Sequence, residues 1–176
     1  MNQSSVQQFL DTAAGRGVWT LDPKASSVRL ATRTMWGLVN VKGTFDRVSG
    51  QGHVGPDGSI SGVLTIDAAS ISTGHAKRDK HLRGADFFDV ENYPEFTVRV
   101  AGGTVRGAGV DFRTEFTIKG VTRDVPLTGT VDRLSADAVT LTVETGIDRA
   151  RFGMDWNQLG MIKGRTTVAV RAVLFQ

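Results

Sequence analysis

Val110-Asp111-Phe112-Arg113-Thr114-Glu115-Phe116-Thr117-Ile118-Lys119 is the stretch that decides the fold class. Val110, Phe112, Thr114, Phe116 and Ile118 alternate with Asp111, Arg113, Glu115, Thr117 and Lys119. A period of two places the apolar set on one face of a half-buried strand and leaves the other face wet. The same period recurs on both sides. Upstream it appears in Val28, Leu30 and Thr32, in Ile60, Gly62, Leu64 and Ile66, and in Phe96, Val98 and Val100. Downstream it appears in Val125, Leu127, Gly129 and Val131, in Val139, Leu141, Val143, Thr145 and Ile147, and in Val168, Val170, Ala172 and Leu174.

Turn signals separate these runs: Gly55-Pro56-Asp57-Gly58, Gly102-Gly103, Gly107-Ala108-Gly109 and Lys119-Gly120. Short loops predict that successive strands pair antiparallel. About eight strands with one apolar face each form either a sandwich or a closed up-and-down barrel. Gly62, Gly129, Thr145 and Ala172 fall on faces otherwise filled by large residues. A sandwich core needs those positions filled to native density, whereas a barrel of about eight strands can leave a cavity for one elongated ligand. Alternatively, larger neighbours fill the gaps. The small inward residues favour the all-β reading of an antiparallel up-and-down barrel of about eight strands over a sandwich, with a short helical excursion and an N-terminal helix.

The excursion is Thr73 to Gly84, which is polar, suits one or two helical turns and has Gly84 as its stop. Phe87, Phe88 and Tyr93-Pro94 follow. Such a long interruption reads as a lid or packed cap. Residues 1–17 read as an amphipathic helix or tail, and residues 18–176 as the barrel domain. In the helix, Val6, Phe9, Leu10, Ala13 and Ala14 share one face, Ser4 or Ser5 caps the start and Gly15 ends it. That face must be buried on the domain or in a homodimer.

Composition narrows the function. The chain has 176 residues, a net charge of +3, 21 glycines, 4 prolines and no cysteine. The absence of cysteine excludes disulfides, a thiol nucleophile and zinc-thiolate sites. There is no apolar run long enough for an integral membrane segment. The charges are interspersed rather than striped, which argues against nucleic acid as a partner. The N-terminus lacks the features of a secretory signal, so a cytoplasmic location is expected ahead of a periplasmic or secreted one. His75 and His81 are six residues apart, the wrong spacing for two ligands on one helical face, so no metal is expected. Neither a serine elbow nor a phosphate loop is present, and no catalytic residue is assigned.

Several motifs in order resemble the YceI-like family of lipocalin-like polyisoprenoid-binding proteins. They are Trp19-Thr20-Leu21-Asp22-Pro23, Val41-Lys42-Gly43-Thr44-Phe45, Ile71-Ser72-Thr73 with Arg78-Asp79-Lys80-His81-Leu82 and Asp86-Phe87-Phe88-Asp89-Val90, Phe116-Thr117-Ile118-Lys119-Gly120, and Asp148-Arg149-Ala150-Arg151-Phe152-Gly153-Met154. The resemblance runs from about Val18 to Phe175. It implies an eight-stranded barrel around a long apolar pocket, with the polar excursion part of the shared architecture. It also implies binding, storage or transport of a polyisoprenoid or other long-chain lipid, such as a polyprenyl chain or a quinone, with no other cofactor.

On that reading Val28, Leu30, Phe112, Phe116, Leu141, Val143, Val170 and Leu174 face the interior. Arg78, His81, Arg149 and Arg151 are the candidates beside a headgroup. The alternative is an enzyme of the same fold that uses Arg78, Asp79 and His81 on a lipid-like substrate, which requires those three side chains to converge on the cavity.

Overall fold

The structure is a computed structural model that describes residues 3–12 and 15–176. Its strands are β1 (Gly17–Leu21), β2 (Ser27–Thr34), β3 (Val39–Phe45), β4 (Val48–Val54), β5 (Ile60–Asp67), β6 (Ile71–Ser72), β7 (Glu95–Arg106), β8 (Gly109–Ile118), β9 (Val121–Asp124), β10 (Leu127–Arg133), β11 (Ala138–Ile147) and β12 (Lys163–Phe175). Two α-helices, α1 (Gln3–Asp11) and α2 (Ala76–Arg83), accompany them. Every strand pairing is antiparallel.

The twelve segments form eight staves. β1 with β2, β3 with β4, β5 with β6 and β9 with β10 are each one bent stave, because both halves pair with the same neighbouring stave. Pro126 lies in the break between β9 and β10, where its missing N–H interrupts the ladder. Each stave pairs with the next in the sequence. The last, β12, pairs with β11 over ten residues and returns to both β2 and β1, which closes the ring.

Two turn expectations come out differently. Lys119 and Gly120 do form the β8–β9 turn, both with positive φ (51° and 72°). Gly102-Gly103, expected as a turn, lies inside β7, where the register shifts between Val100 and Gly102. The extra residue of that β-bulge is Ala101, immediately before the pair, and both glycines stand in the ladder opposite Arg113 and Phe112.

The predicted helical excursion is α2. The His75 side chain caps its start and Gly84 follows its last turn, the Gly84 N–H reaching the His81 carbonyl oxygen. The N-terminal helix is described over Gln3–Asp11, a span that includes Ser4 and Ser5, and their side chains lie outside the described residues. It ends at Asp11, ahead of Gly15. Ala13 and Ala14 lie outside the described residues. Gly15 has a different role: a Cβ there would collide with the Phe9 carbonyl oxygen, so glycine lets the chain fold back on the end of the helix.

The apolar face of α1 is buried on the barrel of its own chain. Val6 is 0% exposed and packs with Val110 and Phe112, while Phe9 packs with Trp19, Val54 and Val139. Phe9 and Trp19 meet edge to face at 5.7 Å, and the indole Nε1 donates to the Gly15 carbonyl at 3.1 Å. The Arg133 guanidinium lies 5.4 Å from the Phe9 ring. A larger cluster fills the opposite half, from Leu21 and Val28 to Phe152 and Met154.

Replacing a buried Phe by Ala removes its contacts and leaves a void. Phe9→Ala is therefore expected to lower the stability to urea by about 3 kcal/mol, against a change within about 0.5 kcal/mol for exposed Gln8→Ala. Equal stabilities for the two variants would show that α1 is not docked.

Candidate functional site

The inner faces of the eight staves enclose a cavity of about 320 Å³. The alternation builds it. On β8 the inward residues are Val110, Phe112, Thr114, Phe116 and Ile118, and on β11 they are Val139, Leu141, Val143, Thr145 and Ile147. All eight residues assigned to the interior from the sequence lie in the wall: Val28, Leu30, Phe112, Phe116, Leu141, Val143, Val170 and Leu174. Between Leu174 and Thr166 on β12 the wall extends eight residues, roughly 26 Å along the strand at ~3.3 Å per residue.

The width comes from small residues. Gly50 and Gly52 on β4 and Gly62 on β5 sit together, with Gly52 opposite Gly62, so the wall there is bare backbone. A Cβ on Gly50 would come 2.8 Å from the Val63 carbonyl oxygen, and one on Gly62 would come 2.8 Å from that of Gln51. Gly129, also expected to leave room, does not. Val143 Cγ2 and Leu141 Cδ1 occupy that space, 2.8 and 2.9 Å from where its Cβ would stand. Gly129 allows two large cross-strand side chains to lean over it.

The two ends differ. Val6, Phe9 and Leu10 of α1 line one end, beside Trp19, Val54 and Val139. At the other end Leu82, Phe87 and Phe88 of the excursion form part of the wall with Met154 and Ile162. Polar groups are placed there too. Thr32 and Thr166 share a hydroxyl–hydroxyl hydrogen bond of 3.0 Å, and Arg149 is the one Arg, Lys, Asp or Glu among the described residues of the wall. Asp148 accepts from the Ala150 N–H and starts the 3₁₀ turn Arg149–Phe152, whose end Gly153 supplies with φ 72°. Arg149 Nη1 donates to the Met154 and Trp156 carbonyls at 3.2 and 2.7 Å. Burial holds its pKa below the ordinary arginine value, and Asp148 and Asp155 oppose that shift. Arginine starts so high that the group stays charged near neutrality.

Of the four headgroup candidates, Arg149 alone lines the cavity; Arg78, His81 and Arg151 do not. Arg78 Nε donates to Thr73 Oγ1 at 2.8 Å, and its Nη2 donates to the Thr73 carbonyl at 3.0 Å. Asp79 is buried and accepts from the Thr73 N–H at 2.9 Å and from the Thr73 hydroxyl. His81 packs edge to face on Phe87 and Trp156, with Nε2 3.4 Å from Asp86. Arg151 is exposed. The three side chains that a catalytic reading needs thus do not converge on the cavity. Arg78 and Asp79 fasten the start of the excursion instead. His75 Nδ1 accepts from the Arg78 N–H at 3.4 Å, and no group of three or more His, Asp or Glu among the described residues could hold a metal.

Sequence reasoning missed Val6, Phe9, Trp19, Gly50, Gly52, Thr32 and Thr166 as parts of the site. The alternation through Val48, Gly50, Gly52 and Val54 was an available signal for β4. Thr32 and Thr166 meet across 134 residues, and no local pattern shows that.

A closed antiparallel barrel around an apolar interior is a lipocalin-like container. The chain belongs to the YceI-like domain family, which matches residues 19–174. Protein YceI of Escherichia coli O157:H7 is 41% identical over 64 residues, which are 36% of this chain and 34% of that protein, so the match spans about a third of that relative. The UPF0312 protein SA2479 of Staphylococcus aureus is 29% identical over 148 residues, 80% of this chain and 84% of that protein. Among solved structures, Burkholderia cenocepacia BcnA aligns with a TM-score of 0.79 at 23% identity, covering 87% of this chain and 98% of that one. A polyisoprenoid binding domain from Saccharophagus degradans aligns at 0.73 and 21%, covering 89% and 97%. These likenesses establish the shared barrel.

Asp79→Ala leaves the part-buried Thr73 N–H without its acceptor, which costs about 1–2 kcal/mol. The folded variant is expected to take up a fluorescent apolar probe as the unaltered protein does. A folded Asp79→Ala protein that has lost probe uptake would place Asp79 in the site.

Proposed function

We propose that the barrel binds the hydrocarbon chain of a polyisoprenoid or another long amphiphilic lipid and holds it for storage or delivery. The observation that carries this reading is the elongated apolar cavity with Arg149, the one Arg or Lys among its described wall residues, at one end. Burying apolar surface is favourable by about 25 cal/mol per Å², so each ~100 Å² of chain removed from water contributes about 2.5 kcal/mol. The barrel offers that environment while its outer faces stay charged. The solved Saccharophagus degradans relative is described as a polyisoprenoid binding domain, which supports the same ligand class here. The headgroup belongs at the Arg149 end, beside the Thr32 and Thr166 hydroxyls, because one cation and two hydroxyls suit an anionic or multiply hydrogen-bonding group. The protein acts as a binder without catalysis, in keeping with Arg78 and Asp79 being engaged with Thr73.

Lipid extraction of the purified protein, followed by mass spectrometry and titration with a polyprenyl phosphate and a polyprenol, tests the reading. Recovery or uptake of such a chain is expected, and neither being taken up would overturn it. Ala172→Phe and Thr145→Phe project new rings into the cavity and are expected to weaken both ligands at least about tenfold. Arg149→Met is expected to weaken the polyprenyl phosphate about tenfold and leave the uncharged polyprenol nearly unchanged. Equal losses for the two would remove Arg149 from headgroup recognition.

A further inference from the structure

The end of the barrel that carries Arg149 also carries two loops whose exteriors are unlike the rest of the surface. One joins β2 to β3 through Met35, Trp36 and Gly37; the other, Asn157 to Ile162, leads into β12. Five of the ten large apolar side chains exposed among the described residues lie on or beside them: Met35, Trp36, Leu38, Val39 and Leu159. Leu38 is 86% exposed and Leu159 is 80% exposed.

These tips are held in place. The Trp36 N–H donates to the Met161 carbonyl at 3.0 Å, and its indole Nε1 donates to the Leu159 carbonyl at 3.3 Å. Asn157 bridges to both backbone groups of Ile162, at 3.0 and 2.8 Å. Met35, Trp36 and Leu159 have φ of 50°, 55° and 52°, a backbone region costly for such side chains. The chain thus maintains a strained, hydrogen-bonded platform whose apolar side chains face water.

The flanks are basic. Residues 33–42 and 156–166 contain Arg33, Lys42, Lys163 and Arg165 and no Asp or Glu. All four are exposed, and none forms an ion pair among the described residues. The acids of the adjoining segment, Asp148 and Asp155, act on Arg149.

We infer that these two loops form a docking surface for an anionic lipid bilayer. Tryptophan and leucine at loop tips enter the headgroup boundary, while surrounding lysines and arginines meet anionic headgroups. A second copy of the chain fits poorly. In a symmetric dimer the patch would face itself and set four cations against four. Ile162, Thr32 and Thr166 belong both to this end of the molecule and to the cavity wall, so docking here sets the polar end of the cavity against the bilayer. Only that last point rests on the cavity being a lipid site.

Flotation of the full chain with vesicles tests the surface. Phosphatidylcholine vesicles are compared with vesicles that also contain phosphatidylglycerol, at low and high salt. Flotation is expected with the anionic vesicles, weaker with the neutral ones, and reduced by salt. Leu38→Asp with Leu159→Asp is expected to reduce binding at least about tenfold. Lys163→Glu with Arg165→Glu offers a second route to the same loss, and for each pair an unchanged melting temperature shows that the barrel is folded. Failure of the unaltered protein to float with anionic vesicles, or unaltered flotation of the folded variants, would overturn the inference. So would a protein that does not float but whose solution dimer is broken by the leucine variants, since that would make the patch a subunit interface. Apolar-probe uptake is measured in parallel: flotation without uptake would count against the cavity reading alone.

Discussion

Closure of the sheet by β12 is the constraint on which the rest depends. A strand of 13 residues pairs with β11 along one side and with β2 and β1 along the other. Without the second set of pairings the same staves would form an open sheet with two unpaired edges and an apolar face that must find another cover. With it, every inward side chain faces another across a shared interior. The ends of the interior are then lined by parts of the chain outside the ring, α1 at one end and the Phe87–Phe88 segment at the other.

An enclosed apolar space in a protein is normally filled, because each missing neighbour forfeits contacts. In this barrel Gly50, Gly52 and Gly62 stand together in the wall, and Thr145 and Ala172 line it where other inward positions carry larger side chains. The unfilled volume is kept in one elongated piece, and the one Arg, Lys, Asp or Glu among the described residues of its wall, Arg149, stands at one end. A site for a chain with a head needs that asymmetry.

The strands whose inner faces carry large side chains were legible in the sequence. Val110 to Ile118 and Val139 to Ile147 announce both their extended form and their inward face. β4 was fainter, since its inner face alternates as Val-Gly-Gly-Val and two of those four positions carry no side chain. Gly102-Gly103 reads as a turn, yet neither glycine has a positive φ, and only the pairing with β8 shows that the strand runs on past a bulge at Ala101. The face of α1 was visible in Val6, Phe9 and Leu10, but its partner was not. Arg78 and His81 are near the barrel mouth in sequence, yet Thr73, Asp86 and two aromatic rings hold them locally. Trp36 and Leu159 lie 123 residues apart in the chain and are joined by a hydrogen bond that no local pattern announces.

The interior is proposed to hold a lipid chain in one orientation. A crystal structure of the protein with a polyprenyl phosphate tests it most directly. Continuous density is expected from Phe9 and Trp19 to Thr32 and Thr166, with the phosphate beside Arg149. Density confined to the outer surface, or a phosphate at the α1 end, would contradict it.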